Sequence, residues 1–183
     1  MRELSLNILD IAQNSISAGA SLTEIIVNEN TKENTLLIGI YDNGCGMTEE
    51  QVKSVIDPFF TTRTTRKVGM GIPLFKMSCE QTGGKFTIES EKGVGTKINA
   101  LYKTDSVDFT PLGDIAATIV TIVSMNSDKE FLYKRVLDDK EFIFSTVEIK
   151  KILDGVPLSE PSVMSWIEQY INEQTNELTN MKG

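Results

Sequence analysis

The sequence predicts an α/β layer sandwich, and three observations carry that prediction. Apolar residues near the amino terminus recur at helical spacing. Two pairs of apolar runs, each joined by a polar turn, read as strand pairs. Between the pairs lie helix-start and helix-stop signals around an aperiodic loop. Helix, two strands, helix, loop, helix, two strands is the order of a layered α/β fold.

The first helix is predicted over residues 3–18, where Leu4, Ile8, Ile11 and Ala12 form a core stripe. Asn7, Asp10, Asn14 and Ser17 fall at i, i+3, i+7 and i+10 and form a polar stripe on another face. Gly19 ends the helix. Strands near 24–28 and 36–41 flank the polar turn "NENTKEN". Thr48 and Gln51 match a capping box, so a short helix starts there and runs to about residue 56. Asp57-Pro58 stops it, because the residue before proline is pushed out of the helical region. Residues 61–69 have no clean periodicity and read as a loop. A helix over 71–82 ends at Gly83-Gly84, and strands at 85–90 and 95–103 flank "EKGVG".

Composition changes near Thr104, so the sequence divides into residues 1–104 and a carboxy-terminal α/β extension, 105–183. The extension reads as a helix after Pro111, a hairpin of "EFLYKRVL" and "EFIFST", a helix after Thr146 and an amphipathic helix after Pro161. That last helix is expected to fray into the polar tail "NEQTNELTNMKG". With no low-complexity linker before it, the extension is expected to pack on the first part.

The chain has 183 residues, 40% hydrophobic and 24% charged, which is ordinary for a soluble globular protein. A formal charge of −8 argues against a general nucleic-acid or anionic-membrane surface. Cys45 and Cys79 are too few and too far apart for a zinc or redox motif, and a reducing cytoplasm is the expected location. The longest apolar run, 114–125, is shorter than the roughly 20 residues that span a bilayer. The chain contains no histidine, so it cannot autophosphorylate on that residue.

Candidate chemistry gathers in three segments. In "DNGCGM", Asp42 ends an apolar strand and glycines follow at two alternate positions. Glycine lets a flat ring approach the backbone, and the carboxylate can accept from an exocyclic amine. Ordinary turns use the same residues, so D-x-G-x-G alone decides little. "VGMGIPLF" places a second glycine pair at a helix start, where backbone N–H groups and the dipole favour phosphate. It is neither a Walker loop nor a Rossmann fingerprint. On the first helix, Asp10 and Asn14 are one turn apart, about 6 Å between Cβ atoms. An amide oxygen suits Mg²⁺, and a carboxylate beside it can orient or deprotonate a hydroxyl.

In order and spacing, "DIAQNSISAGA", "DNGCGM", "DPFF", "VGMGIP" and "GGKFTIESEKGVGTKI" resemble the N, G1, F and G2 boxes and closing strands of the GHKL ATPase superfamily. That group includes gyrase-type topoisomerases, heat-shock chaperones, histidine kinases and MutL proteins. The resemblance covers roughly residues 1–103 and implies the Bergerat fold, a two-layer α/β (α+β) sandwich on a mixed, mostly antiparallel sheet. It further implies that ATP and Mg²⁺ are the cofactors. Asn14 would hold the metal, Asp42 would take the adenine amine, and Thr96 would support Asp42 through a water. Gly44, Gly46 and Met47 would border the base, Phe59 of the third box would join the nucleotide set, and Gly69 and Gly71 would approach the phosphates. Residues 61–68 would be a short lid, with Arg63, Arg66 and Lys67 either contacting phosphate or forming a solvated basic loop. Cys45 would be a small buried residue.

Asp10 would be the catalytic residue, the base that orients or deprotonates the attacking hydroxyl. Family members that activate water or a serine hydroxyl carry an acidic residue four positions before the metal asparagine, usually Glu; histidine kinases commonly carry Asn. Asp is one methylene shorter than Glu, and a displacement of about 1 Å can cost on the order of 10²-fold in rate. The expected function is therefore a regulatory ATPase or Ser/Thr protein kinase acting with a protein partner or substrate, with no nucleic acid, no membrane, and homodimerisation left open. The alternatives are a nucleotide-sensing module that gates a partner without phosphotransfer, and an isolated histidine-kinase-type catalytic domain acting on a separate protein.

Overall fold

The computed structural model describes residues 3–59 and 70–180. Helix α1 spans Leu4–Ser17 and strands β1 and β2 span Leu22–Asn30 and Thr35–Asp42. Helices α2 (Glu49–Ile56) and α3 (Gly71–Gln81) follow, then β3 (Lys85–Glu91) and β4 (Gly95–Lys103). The rest comprises α4 (Ile115–Met125), β5 (Glu130–Leu137), β6 (Lys140–Ser145), α5 (Thr146–Leu153) and α6 (Pro161–Asn180). Each predicted helix and strand is present, the loop expected over residues 61–69 lies outside the described residues, and the first two strands run longer than their apolar runs. Backbone pairing continues where side chains turn polar, from Glu29↔Leu36 to Asn30↔Thr35.

The described strands form one six-stranded sheet in the order β3-β4-β2-β1-β5-β6. Its pairs are antiparallel except β1 and β5, which run parallel from Leu22↔Glu130 to Glu29↔Leu137. A parallel neighbour needs a crossover connection, and the segment from β4 through α4 to β5 provides it. The extension therefore continues the sheet that the first strands begin.

Alternate strand residues such as Ile25, Val27, Ile38, Ile98 and Tyr133 are buried in one cluster with Leu4, Ile8, Phe75, Ile119 and Ile167 from the helices. Burying such apolar surface is the main stabilising term, at about 25 cal/mol per Å². The start of α1 is fixed from the far part of the chain. No side chain caps this helix; the amides of Leu4 and Ser5 donate instead to the carbonyls of Pro111 and Leu112, at 2.9 and 2.8 Å.

Two expectations fail here. Helix α6 does not fray at the polar tail but continues to Asn180, because Leu178, 7% exposed, is buried in the core two turns beyond Ile171. Asn7, placed on the polar stripe of α1, is 1% exposed. The stripe runs along the border of the apolar face, and only its Asp10 and Ser17 members are open to solvent. No described helix is long and apolar enough to cross a membrane.

Candidate functional site

A cleft of about 610 Å³ opens where α1, the loop after β2, α2 and strand β4 meet. Asn14, Asp42, Gly46, Met47 and Thr96 all line it, although up to 82 positions separate them in sequence. Its apolar walls are Ile11, Val55, Ile72 and Ile98. A flat apolar slot with a few convergent polar groups is the usual form of a small-molecule site.

The carboxylate of Asp42 is held from both sides. Its Oδ1 accepts from the Gly44 amide at 2.8 Å, and its Oδ2 accepts from the Ser15 hydroxyl at 2.7 Å. Ser15 follows Asn14, so one turn of α1 presents an amide to the cleft and, beside it, a buried hydroxyl to Asp42. Sequence reasoning missed Ser15; its place next to Asn14, in step with the core residue Ile11, is the signal that was available. Charge-assisted bonds of this kind fix the carboxylate plane and leave its remaining lone pairs for a donor.

The loop after Asp42 is tied down at both ends. The Cys45 amide donates to Ala18 at 2.9 Å, and the Cys45 carbonyl accepts from the Gly93 amide at 2.6 Å. Gly46 sits at φ 69°, and a Cβ there would lie 1.9 Å from the Glu91 carbonyl oxygen, so both conformation and space demand glycine. Cys45 itself is exposed and lines the cleft, correcting the expectation that it is buried.

Thr96 lies directly across from Asp42 in the β2–β4 pairing. Its hydroxyl is 2.8 Å from the Ser90 hydroxyl, which also accepts from the Met47 amide at 2.8 Å. Ser90 therefore joins the two sides of the slot, and nothing in the local pattern of β3 singled it out.

At the other end, Gly71 starts α3 beside α1. A Cβ on Gly71 would stand 3.3 Å from the Cβ of Asp10 and 3.8 Å from Ile11 Cδ1. Among the described residues no side chain caps α3; Pro73 has no N–H and the Leu74 amide donates to Met70 at 2.9 Å, so the Gly71 and Ile72 amides are the ones left to an anion. Asp10 is exposed one turn before Asn14 and does not line the cleft. Gly44 and Gly71 are buried beside the cleft without lining it. Phe59 is 94% exposed and is not brought to the cleft. Arg63, Arg66, Lys67 and Gly69 lie outside the described residues.

Comparison with known proteins gives the lineage. Over 103 residues the chain is 28% identical to a putative sensor protein of Shewanella frigidimarina, covering 56% of this chain and 15% of that protein. Over 96 residues it is 30% identical to sporulation kinase E of Bacillus subtilis, covering 52% of this chain and 13% of that one. The chain thus spans less than a sixth of the length of these relatives. Among solved structures, the Aquifex aeolicus MutL ATPase domain complexed with ADP superposes with a TM-score of 0.50 at 15% identity, over 84% of this chain and 70% of that one. That likeness speaks to the fold. The model of the histidine kinase-, DNA gyrase B- and HSP90-like ATPases matches residues 1–105, more than half of the chain. The chain belongs to that family, and its first part is a GHKL-type ATP-binding domain, as in histidine kinases.

Proposed function

We propose that this protein is a regulatory, Mg²⁺-dependent ATP phosphotransferase whose acceptor is water or a Ser/Thr hydroxyl of a protein partner. One observation carries the reading: exposed Asp10 stands one helical turn from cleft-lining Asn14 and packs against Gly71 at the uncapped start of α3. A nucleotide with its base at Asp42 and Thr96 would direct its phosphates toward these groups. The Gly71 and Ile72 amides would bind phosphate oxygens, favoured by the helix dipole.

The donor set fits a phosphate-borne cation. Among the described residues no three His, Cys, Asp or Glu side chains gather at one point. The Asn14 amide oxygen would be one hard ligand, with phosphate oxygens and water as the rest. Mg²⁺ there would neutralise charge on the phosphates. Asp10 would orient the acceptor hydroxyl and take its proton as the oxygen attacks the terminal phosphorus and the bond to ADP breaks. Arg63 and Lys67 would neutralise the terminal phosphates from the lid side. The name sporulation kinase E, carried by one relative, supports transfer to a partner protein over hydrolysis alone.

The test uses labelled ATP, with and without candidate partners, following both released phosphate and labelled protein. Asp10→Asn should leave ATP affinity near wild type and slow turnover by about 10²–10⁴-fold. Suppose instead that wild type turns nothing over, and that ATP switches partner binding equally in wild type and Asp10→Asn. The protein is then a nucleotide-gated binding module.

A further inference from the structure

We propose that Ser90 is a specificity-determining residue: it fixes the proton of Thr96, so that Thr96 turns only lone pairs toward the cleft and selects a 6-aminopurine over a 6-oxopurine. The inference rests on the nucleotide-binding reading above. A hydroxyl carries one proton and two lone pairs. The Ser90 hydroxyl has three neighbours: the Gly95 carbonyl oxygen at 3.1 Å, the Met47 amide at 2.8 Å and the Thr96 hydroxyl at 2.8 Å. The carbonyl can only accept and the amide can only donate. Giving its proton to Gly95 leaves Ser90 two lone pairs, one for Met47 and one for the proton of Thr96. Every capacity of Ser90 is then used.

Thr96 is thereby left as an acceptor on the cleft wall, next to Asp42. Asp42 is also an acceptor, its orientation set by Gly44 and Ser15. That end of the slot would welcome the amine of adenine, directly or through a water donating to both. It would oppose the 6-oxo group of guanine, which brings lone pairs to lone pairs. A Thr96 hydroxyl free to rotate could donate to that oxygen and would erase part of the preference. Ser90 thus acts on the base through Thr96 and the loop at Met47, without touching it.

Calorimetry with MgATP and MgGTP tests this. Ser90→Ala should weaken both nucleotides through the loosened Met47 loop, and should in addition lower the ATP-to-GTP affinity ratio about tenfold, the size of one hydrogen bond. Ser90→Thr keeps the hydroxyl and should restore the ratio; Ser90→Cys, a weak donor, should fall between. In a Thr96→Val background the Ser90→Ala change should leave the ratio untouched, because the proton it governs is gone. An unchanged ratio in Ser90→Ala and Ser90→Cys, or an equal shift with and without the Thr96 hydroxyl, overturns the proposal while leaving ATP binding intact. Wild type that binds neither nucleotide overturns the functional reading as well.

Discussion

The described residues of 3–103 and residues 105–180 share one sheet and one core, yet they differ in where polar side chains keep hydrogen-bonding capacity for a ligand. In the first region Asn14, Asp42 and Thr96 converge on a cleft with hydrogen-bonding capacity left over. In the second, polar groups close on one another. Thr146 donates to Glu130 and accepts from the Phe131 amide at 2.8 Å, while Lys150 meets Glu130 at 2.7 Å. Arg135 reaches back to Glu29 at 2.9 Å, and Asp138 accepts from the amide and hydroxyl of Thr31. The second region spends its polarity holding β5, β6 and α5 in place, and the first keeps some for a ligand.

Removing the second region should have the largest effect on the molecule. A fragment of residues 1–104 would expose the β1 edge that pairs with β5 and the surface of α1 that packs on α4. An unpaired central edge and bare core should abolish cooperative unfolding in urea. A sharp transition in the fragment would show that the first region folds without its scaffold.

Asp42→Asn should strike the first region alone. The asparagine oxygen can still accept from Gly44 and its NH₂ can donate to the Ser15 hydroxyl, which has the Ile11 carbonyl as another acceptor; the remaining N–H then meets an adenine amine donor to donor. ATP affinity should fall about 10²-fold, matching the loss of a charge-assisted bond. The urea midpoint should move little. Unchanged affinity by calorimetry would remove Asp42 from the site.

Among the described residues, each region also buries one polar side chain without a hydrogen-bond partner, the amide of Asn7 and the hydroxyl of Tyr133. Burial raises the Tyr133 pKa well above that of a free phenol, because the charged phenolate would lose its hydration. Replacing an orphaned polar group by an apolar one of similar shape relieves its desolvation penalty. Asn7→Leu and Tyr133→Phe should each gain about 1 kcal/mol in urea unfolding. A loss in either variant would mean that its polar group has a partner in solution.

The two cysteines give the finest contrast. Cys45 is exposed on the cleft; Cys79 is buried in the core, and desolvation pushes its thiol up to about 11. A maleimide at pH 7.5 should label one thiol in the native protein and two in denaturant, with ATP slowing the native reaction. Labelling that ATP leaves unchanged would place the bound nucleotide away from Cys45.

The sequence by itself determined the elements and the boxes. Helix and strand follow from periodic burial, which is written locally, and the polar residues of the cleft sit at element ends marked by Asp, Gly and the Thr48 capping box. The partners of those residues were decided by tertiary structure alone. Ser90 meets Met47 43 positions away because β3–β4 register carries it there, and Ser15 meets Asp42 because α1 crosses the end of β2. In the same way, the pattern of "EFLYKRVL" announces a strand but not that its neighbour is β1, or that the pair is parallel. Nor does the tail of α6 announce that Leu178 reaches the core. Local patterns report which face of an element is buried; which surface buries it, and which hydroxyl completes a hydrogen bond, depends on contacts that form only when distant segments pack.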